Sequence, residues 1–433
     1  MRIAWVTPTN RRSAIGRMAV SVAEELARRG HEVEIIRAES DAERDGPTHP
    51  TNLPVRLPRE INFRRPWGGY DLAVIHVGDF YPFHAAFFDL ADKLPCLGVF
   101  HDFYLFNLFC GWLNAERHGP EVQEREVSAT YGDGVLELAR QARAGEASLE
   151  EIAQNLPMTE WAARRCVGAL AHSGYYLDRL GAACAGPVDM AHLPWEGRSV
   201  SPLGVRTGDH VTTVTLGVMN PNKCVDAVMK AICASDQLKA RLRYTLVGPI
   251  QPDEQARLEG IAREGGYDGL SILGAVDDAD LVANLEAADL ICCLRKPVLE
   301  GASASAIEGM LSGRPTIVAD AGFYGELPDD MVFKVSAAVE AEELTALLER
   351  LVGDEPLRRT TGARAQAWAE DHFSIQRYTT VLEGLLQATV DALPLLRLGA
   401  AYGHELKAMG LRPDDPSVER ISACALEMLG RAT

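Results

Sequence analysis

The sequence predicts an α/β protein of two doubly wound, parallel-sheet domains facing a central cleft, with a helical insertion and a helical C-terminal tail. Three observations predict it. Short apolar, strand-like runs alternate with helical runs, as in a parallel sheet covered on both faces. A Pro- and Gly-rich stretch at 186–210 interrupts that alternation between the two halves, as a linker does. At 433 residues the chain exceeds what one core holds, since single cores stop growing at roughly 250–300 residues. The expected division is an N-terminal domain over 1–200 with a helical insertion at about 115–170, a C-terminal domain over 201–385, and a helical extension over 386–433.

The elements follow in order. IAWVT (3–7) reads as a buried strand, and Ile15, Met18, Ala19, Val22 and Leu26 then recur at helical spacing until Gly30. EVEII (32–36), LAVIHV (72–77) and CLGVF (96–100) read as further strands, after which 115–170 reads as helices. The second half repeats the alternation in VTTVTL (211–216), YTLVG (244–248), SIL (271–273), DLICCL (289–294) and PTIVA (315–319). From about 339 the chain reads as helical to its end. Short-period repeats and low-complexity segments are not evident.

The composition is that of a soluble globular protein, 47% hydrophobic and 24% charged. A net charge of −18 argues against nucleic-acid binding, which needs a basic footprint. It leaves room for anionic ligands held by local cations and helix N-termini. The 9 cysteines form no CxxC pair and lie among apolar neighbours, which reads as reduced thiols in a cytoplasmic protein. The N-terminal apolar run is too short for a signal peptide, and no run reaches a membrane-spanning length, so membrane contact is expected to be peripheral at most.

In doubly wound sheets, ligands bind at the C-terminal ends of the strands, so the loops there carry the functional expectation. GVMNPNKC (217–224) puts Lys223 at the start of a helix, where a cation can face a phosphate or simply be solvated. RKPVLEGASASAIEGM (295–310) surrounds the tiny residues Gly301, Ala302, Ser303 and Ala304 with Glu300 and Glu308. Small side chains let a ligand approach the backbone, and a carboxylate one to two turns into the helix can accept from a vicinal diol. Ser305 and Glu308 also fit a capping box, a purely structural alternative. After the first strand, Gly16 stands at a helix start with Arg11, Arg12 and Arg17 nearby, without a GxGxxG fingerprint. His76, Asp79, His84, His101 and Asp102 gather at later strand ends, a polar pocket and a candidate acceptor site, with no spacing typical of a metal site. The acidic run at 277–280 reads as a helix cap.

Together the Gly16 loop, FHD (100–102), NPNKC (220–224) and EGASASAIEGMLSGRPTIVADAGFYGELPD (300–329) resemble the family 4 (group 1) glycosyltransferases over roughly 1–385. The resemblance implies two Rossmann-like domains in the GT-B arrangement. It implies metal-independent transfer of a sugar, with retention of configuration, from a UDP- or GDP-sugar to the hydroxyl of a small-molecule, glycan or lipid-linked acceptor. No cofactor is implied beyond the donor. By resemblance Glu300 contacts the donor sugar, Glu308 the ribose diol and Lys223 the pyrophosphate, helped by Gly16 and the Gly301–Ala304 loop. His101 corresponds to a histidine near the transferred sugar. The family's usual arginine before the lysine is replaced by Val218, and Arg295 is the expected substitute. The rival readings are a glycoside phosphorylase on the same fold and a non-catalytic nucleotide-sugar sensor.

Overall fold

The computed structural model describes residues 1–204, 209–412, 415–418, 420 and 421. Cys424 and the end of the expected helical tail lie outside the described residues.

The first sheet contains β1 (Arg2–Thr7), β2 (Glu32–Arg37), β3 (Val55–Arg56), β4 (Leu72–Val77), β5 (Cys96–Phe100), β6 (Gly168–Ala171) and β7 (Val188–Met190). Its spatial order is β3-β2-β1-β4-β5-β6-β7, all pairs parallel. The second contains β8 (Val211–Leu216), β9 (Leu242–Val247), β10 (Leu270–Gly274), β11 (Leu290–Cys293), β12 (Thr316–Ala319) and β13 (Phe333–Val335), in the order β10-β9-β8-β11-β12-β13. Both are doubly wound, and each reverses winding direction beside its first strand: between β1 and β4, and between β8 and β11. A crevice opens at the strand C-termini of such a switch point.

The helices that matter for the site are α1 (Ala14–Arg28), α2 (Phe106–Ala115), α3 (Val225–Cys233), α4 (Asp278–Ala287), α5 (Ala304–Leu311) and α6 (Ile375–Ala408). Every residue of β4 is buried, as expected for a strand covered on both faces. α1 buries Met18, Ala19, Val22, Ala23 and Leu26, the spacing of one helical face, against Trp5 and Ile35 of the sheet. Each large side chain of that kind contributes roughly 1.5–3 kcal/mol when fully buried.

The strands missed in the sequence are β3, β6, β7 and β13. β6 reads GALA and lies inside the stretch expected to be only helical, because Ala and Gly carry no strand signal. β7 lies inside the expected linker. The insertion is otherwise helical, with helices at 120–131, 136–144, 149–155 and 159–163. α6 runs unbroken through residue 385, where an extension was expected to begin, because its first half packs on α1, β6 and β7. Glu383 fixes that return by accepting from Arg29 at 2.6 Å and pairing with His31 at 3.0 Å. No helix among the described residues is long and apolar enough to cross a membrane.

Candidate active site

The two sheets meet at their C-terminal edges. The Gly301 N–H donates to His101 O at 2.8 Å, and the N–H groups of Phe103 and Tyr104 both donate to Leu299 O at 2.9 Å. Tyr175 Oη donates to Glu300 O at 2.8 Å, and the Glu326 carboxylate accepts from the N–H groups of Gly174 and Tyr175. A cleft of about 740 Å³ opens beside this seam. One wall comes from the second sheet: Gly217 and Val218 after β8, Gly248 and Pro249 after β9, and Ser305 and Glu308 of α5. The facing wall carries Arg11, Arg12, Arg17 and Phe80, and Arg198 of the linker also reaches the cleft. An acidic protein thus gathers four arginines around one opening.

Beneath the second-sheet wall lies Lys223, which a 3₁₀ turn at 221–223 delivers just ahead of α3. It is buried, and Nζ donates to Leu216 O. Gly217 has φ +89°, and a Cβ there would come within 2.9 Å of Nζ and 3.6 Å of Ser305 Oγ. Glycine is therefore required both by conformation and by space. Burial, and then the neighbouring Arg295 charge, lower the Lys223 pKa to about 7.

Arg295 is buried; its Nε pairs with Glu300 Oε1 at 2.9 Å and its Nη1 donates to Leu294 O at 2.7 Å. Tyr324 Oη also donates to Glu300 Oε1. Arg295, Lys223 and the half-buried Glu300 thus form one charge cluster behind the cleft wall, and Arg295 is committed to Glu300. Val218 is 58% exposed on the wall and brings no charge.

The helix cap differs from the sequence expectation. Ser303, not Ser305, is the N-cap of α5, accepting from the Ala306 N–H at 3.3 Å. Glu308 does not close a capping box. It is buried, and it accepts from Trp195 Nε1 at 2.7 Å, the Arg198 N–H at 2.9 Å and Arg198 Nη1 at 2.8 Å. Trp195 and Arg198 were missed, because nothing local in a linker marks a residue that binds a carboxylate 110 positions away. Gly16 also differs: its N–H is taken by Ser13 Oγ at 3.0 Å, and a Cβ there would meet Pro8 O at 2.3 Å. Its role is helix capping and close packing, with no N–H free for a phosphate.

The histidines of the first sheet form a buried chain instead of an open pocket. His172 Nδ1 donates to Ala191 O at 3.1 Å, since a carbonyl only accepts. His172 Nε2 then accepts from His101 Nδ1 at 3.2 Å, and His101 Nε2 accepts from His76 Nδ1 at 2.8 Å. Burial, followed by the His172 charge, holds His76 and His101 well below the ordinary imidazole range, so the chain is neutral. Both ring nitrogens of His101 are engaged, so it has none to offer a sugar. His76 and His84 are buried too, His84 donating to His76 O at 2.9 Å, and neither lines an acceptor site. Asp79 accepts from the Asn107 and Leu108 N–H groups at 2.9 and 3.1 Å and so caps α2. Asp102 accepts from the Asp79 N–H at 2.8 Å, and burial together with the Asp79 charge raises its pKa to about 8. Among the described residues, no three His, Cys, Asp or Glu side chains are grouped to hold a metal ion.

Residues 205–368 match the model of glycosyl transferases group 1, and residues 15–130 match that of Glycosyltransferase Family 4. The two spans take in more than half of the chain, one on each sheet. Both halves of the chain thus match glycosyltransferase family models, the C-terminal half that of group 1. A curated relative, the MMP alpha-(1->4)-mannosyltransferase of Mycolicibacterium hassiacum, is 28% identical over 158 residues, 36% of this chain and 38% of that protein's length. Among solved structures, HepE of Anabaena in complex with UDP and glucose aligns with a TM-score of 0.59 at 15% identity, covering 89% of this chain and 99% of that one. Sucrose-phosphate synthase of Thermosynechococcus elongatus aligns with the same TM-score at 16% identity, covering 90% and 100%. These likenesses carry the fold, the two-domain Rossmann-like GT-B arrangement. The E-x7-E segment of Glu300 to Glu308 lies in the loop and helix where the two sheets meet.

Proposed function

We propose that this group 1 glycosyltransferase moves a sugar from a nucleoside-diphosphate sugar to an acceptor hydroxyl, with retention of configuration and without a metal. The observation that carries the reading is the convergence of Lys223 Nζ, Gly217 and Ser305 at the second sheet's switch point, beside the α5 N-terminus. A glycine that yields its Cβ space to a buried ammonium leaves room for a diphosphate at the end of a helix dipole. The solved GT-B neighbour with UDP and glucose supports a uridine donor, and GDP-sugars remain the alternative donor class.

In this reading the bond from the sugar's anomeric carbon to the diphosphate oxygen breaks while the acceptor oxygen bonds to that carbon from the same face. The acceptor proton passes to the departing phosphate. Fixed positive charge stabilises the growing negative charge on the leaving group, an electrostatic contribution that is usually the largest in such steps. Lys223 supplies it directly. Arg295 acts through Glu300, orienting the carboxylate that holds the donor sugar, and Glu308 takes the ribose. The acceptor enters from the first-sheet wall, where Phe80 is 55% exposed and offers a ring face to a sugar.

A thermal-shift comparison of UDP, GDP and their sugars identifies the donor, since a ligand that binds only the folded state raises its stability. Product NMR then gives the anomeric outcome, with EDTA leaving the rate unchanged. A shift with neither diphosphate sinks the reading. A second reading, a nucleotide-sugar sensor, is favoured by Val218 in place of the family arginine. It predicts a thermal shift without slow hydrolysis of any donor.

A further inference from the structure

The proposed donor site lacks a cation at position 218, and this inference rests on that site. Arg295 is committed to Glu300 behind the wall, and Arg12 pairs with Glu43 on the far side of the cleft. Arg198 differs from both. Its backbone N–H is anchored to Glu308 Oε1 at 2.9 Å, while its side chain reaches Glu308 Oε2 at 2.8 Å and Asp278 Oδ1 at 2.6 Å. It lines the same cleft as Gly217, Val218 and Ser305.

The Glu308 carboxylate has about four lone-pair positions. Oε2 accepts from Trp195 Nε1 and Arg198 Nη1, and Oε1 from the Arg198 N–H, so one position remains. A vicinal diol needs two. One of the present donors must leave when a ribose binds, and the backbone N–H moves only with the chain. Trp195 is held by its own N–H to Phe373 O at 2.9 Å and by the Arg17 guanidinium over its ring at 5.1 Å. The group that can leave is the Arg198 guanidinium. Its other partner, Asp278, is exposed, and exposed pairs are weak.

We propose that Arg198 is the second phosphate cation of this enzyme. In the free protein its guanidinium fills the ribose carboxylate, and donor binding turns it onto the diphosphate in place of the arginine absent at 218. A nucleoside without phosphates displaces Arg198 and offers it nothing in exchange. The exchange therefore raises selectivity for a diphosphate over the bare nucleoside.

Calorimetric titration of uridine and UDP, and of guanosine and GDP, into wild type, R198Q and R198K tests this. R198Q is expected to bind the preferred diphosphate at least tenfold more weakly while binding its nucleoside equally or more tightly, and R198K to recover most of the loss. Undiminished diphosphate binding by R198Q, or an equal loss for nucleoside and diphosphate, overturns the proposal. Asp278 is exposed, so D278N folds even where R198Q does not. It is expected to raise the diphosphate-to-nucleoside affinity ratio, and to do nothing in an R198Q background; an unchanged ratio in D278N overturns the proposal as well. The donor site is tested separately by E308Q, which is expected to weaken nucleoside and diphosphate alike. Failure of wild type to bind either diphosphate removes the donor site and Arg198 with it, whereas binding that E308Q weakens leaves the site standing whatever R198Q does.

Discussion

The loops that follow the first strand of each sheet hold equivalent places at the two switch points, yet they carry charge in opposite ways. After β1, Arg11 and Arg12 are exposed, Arg11 donating to Thr48 O at 3.1 Å and Arg12 pairing with Glu43. After β8, Lys223 is buried, with its pKa lowered to about 7 by burial and Arg295. The difference separates two uses of a cation. Exposed arginines adapt to a variable partner at little cost to the fold. A desolvated lysine is held in place before the ligand arrives, which is how fixed charge stabilises a reacting group most strongly.

Substitution breaks the comparison most sharply. Lys223→Met keeps the apolar stem and removes the charge, so the variant should lose at least tenfold in catalytic efficiency, about 1.4 kcal/mol, once a donor is in hand. Its Tm should match or exceed that of wild type, because a buried charge is relieved. Arg11→Gln, on the exposed side, should lose less than threefold. Equal losses at the two loops would erase the distinction.

The buried lysine also predicts a pH dependence of binding. Free Lys223 titrates near pH 7, and a bound diphosphate holds it charged, so binding above pH 7 takes up a proton. Affinity for the diphosphate should therefore fall about fivefold between pH 7 and 8, as a single linked proton requires. Lys223→Met should remove that fall. A profile equally steep in the variant would assign the titration to another group.

What the sequence made legible follows from locality. β1, β4, β8 and β11 were readable because each is a run of branched or apolar residues bounded by turn residues, and the ligand-facing loops follow from them. Glu300 and Lys223 were singled out because the resemblance that points to them is carried by contiguous segments. The partners of these residues were not. Glu308 meets donors 110 and 113 positions away, and His101 is enclosed by His76 and His172, 25 and 71 positions away. Only the closing of the two sheets brings them together, so the histidines read as a pocket and Arg295 as the missing clamp. The cap of α5 was misplaced by two residues because Ser303 and Ser305 are chemically alike, and backbone geometry alone decides between them.

The smallest effect tests the same contrast in the acid form. Asp102 lies in the first-sheet half of the seam, its backbone bridged to Glu300, with a pKa raised from 3.8 to about 8 by burial and then by Asp79. A carboxyl with a raised folded pKa leaves stability intact below pH 4, where both states hold the proton. Stability is then lost as pH rises through about 8, because the unfolded chain ionises freely while the folded one resists. Lys223 has the opposite sign: its burden is fully present below pH 7 and is relieved as pH rises towards 10.5. Asp102→Asn keeps an oxygen to accept from the Asp79 N–H and removes the ionisation. It should stabilise the protein by ~1 kcal/mol at pH 8, the scale of an ordinary point substitution, and leave it unchanged at pH 4. Denaturant melts at the two pH values check this. A gain at pH 4 equal to that at pH 8 would mean that Asp102 acts through packing, and the two buried charges would no longer be a matched pair of opposite sign.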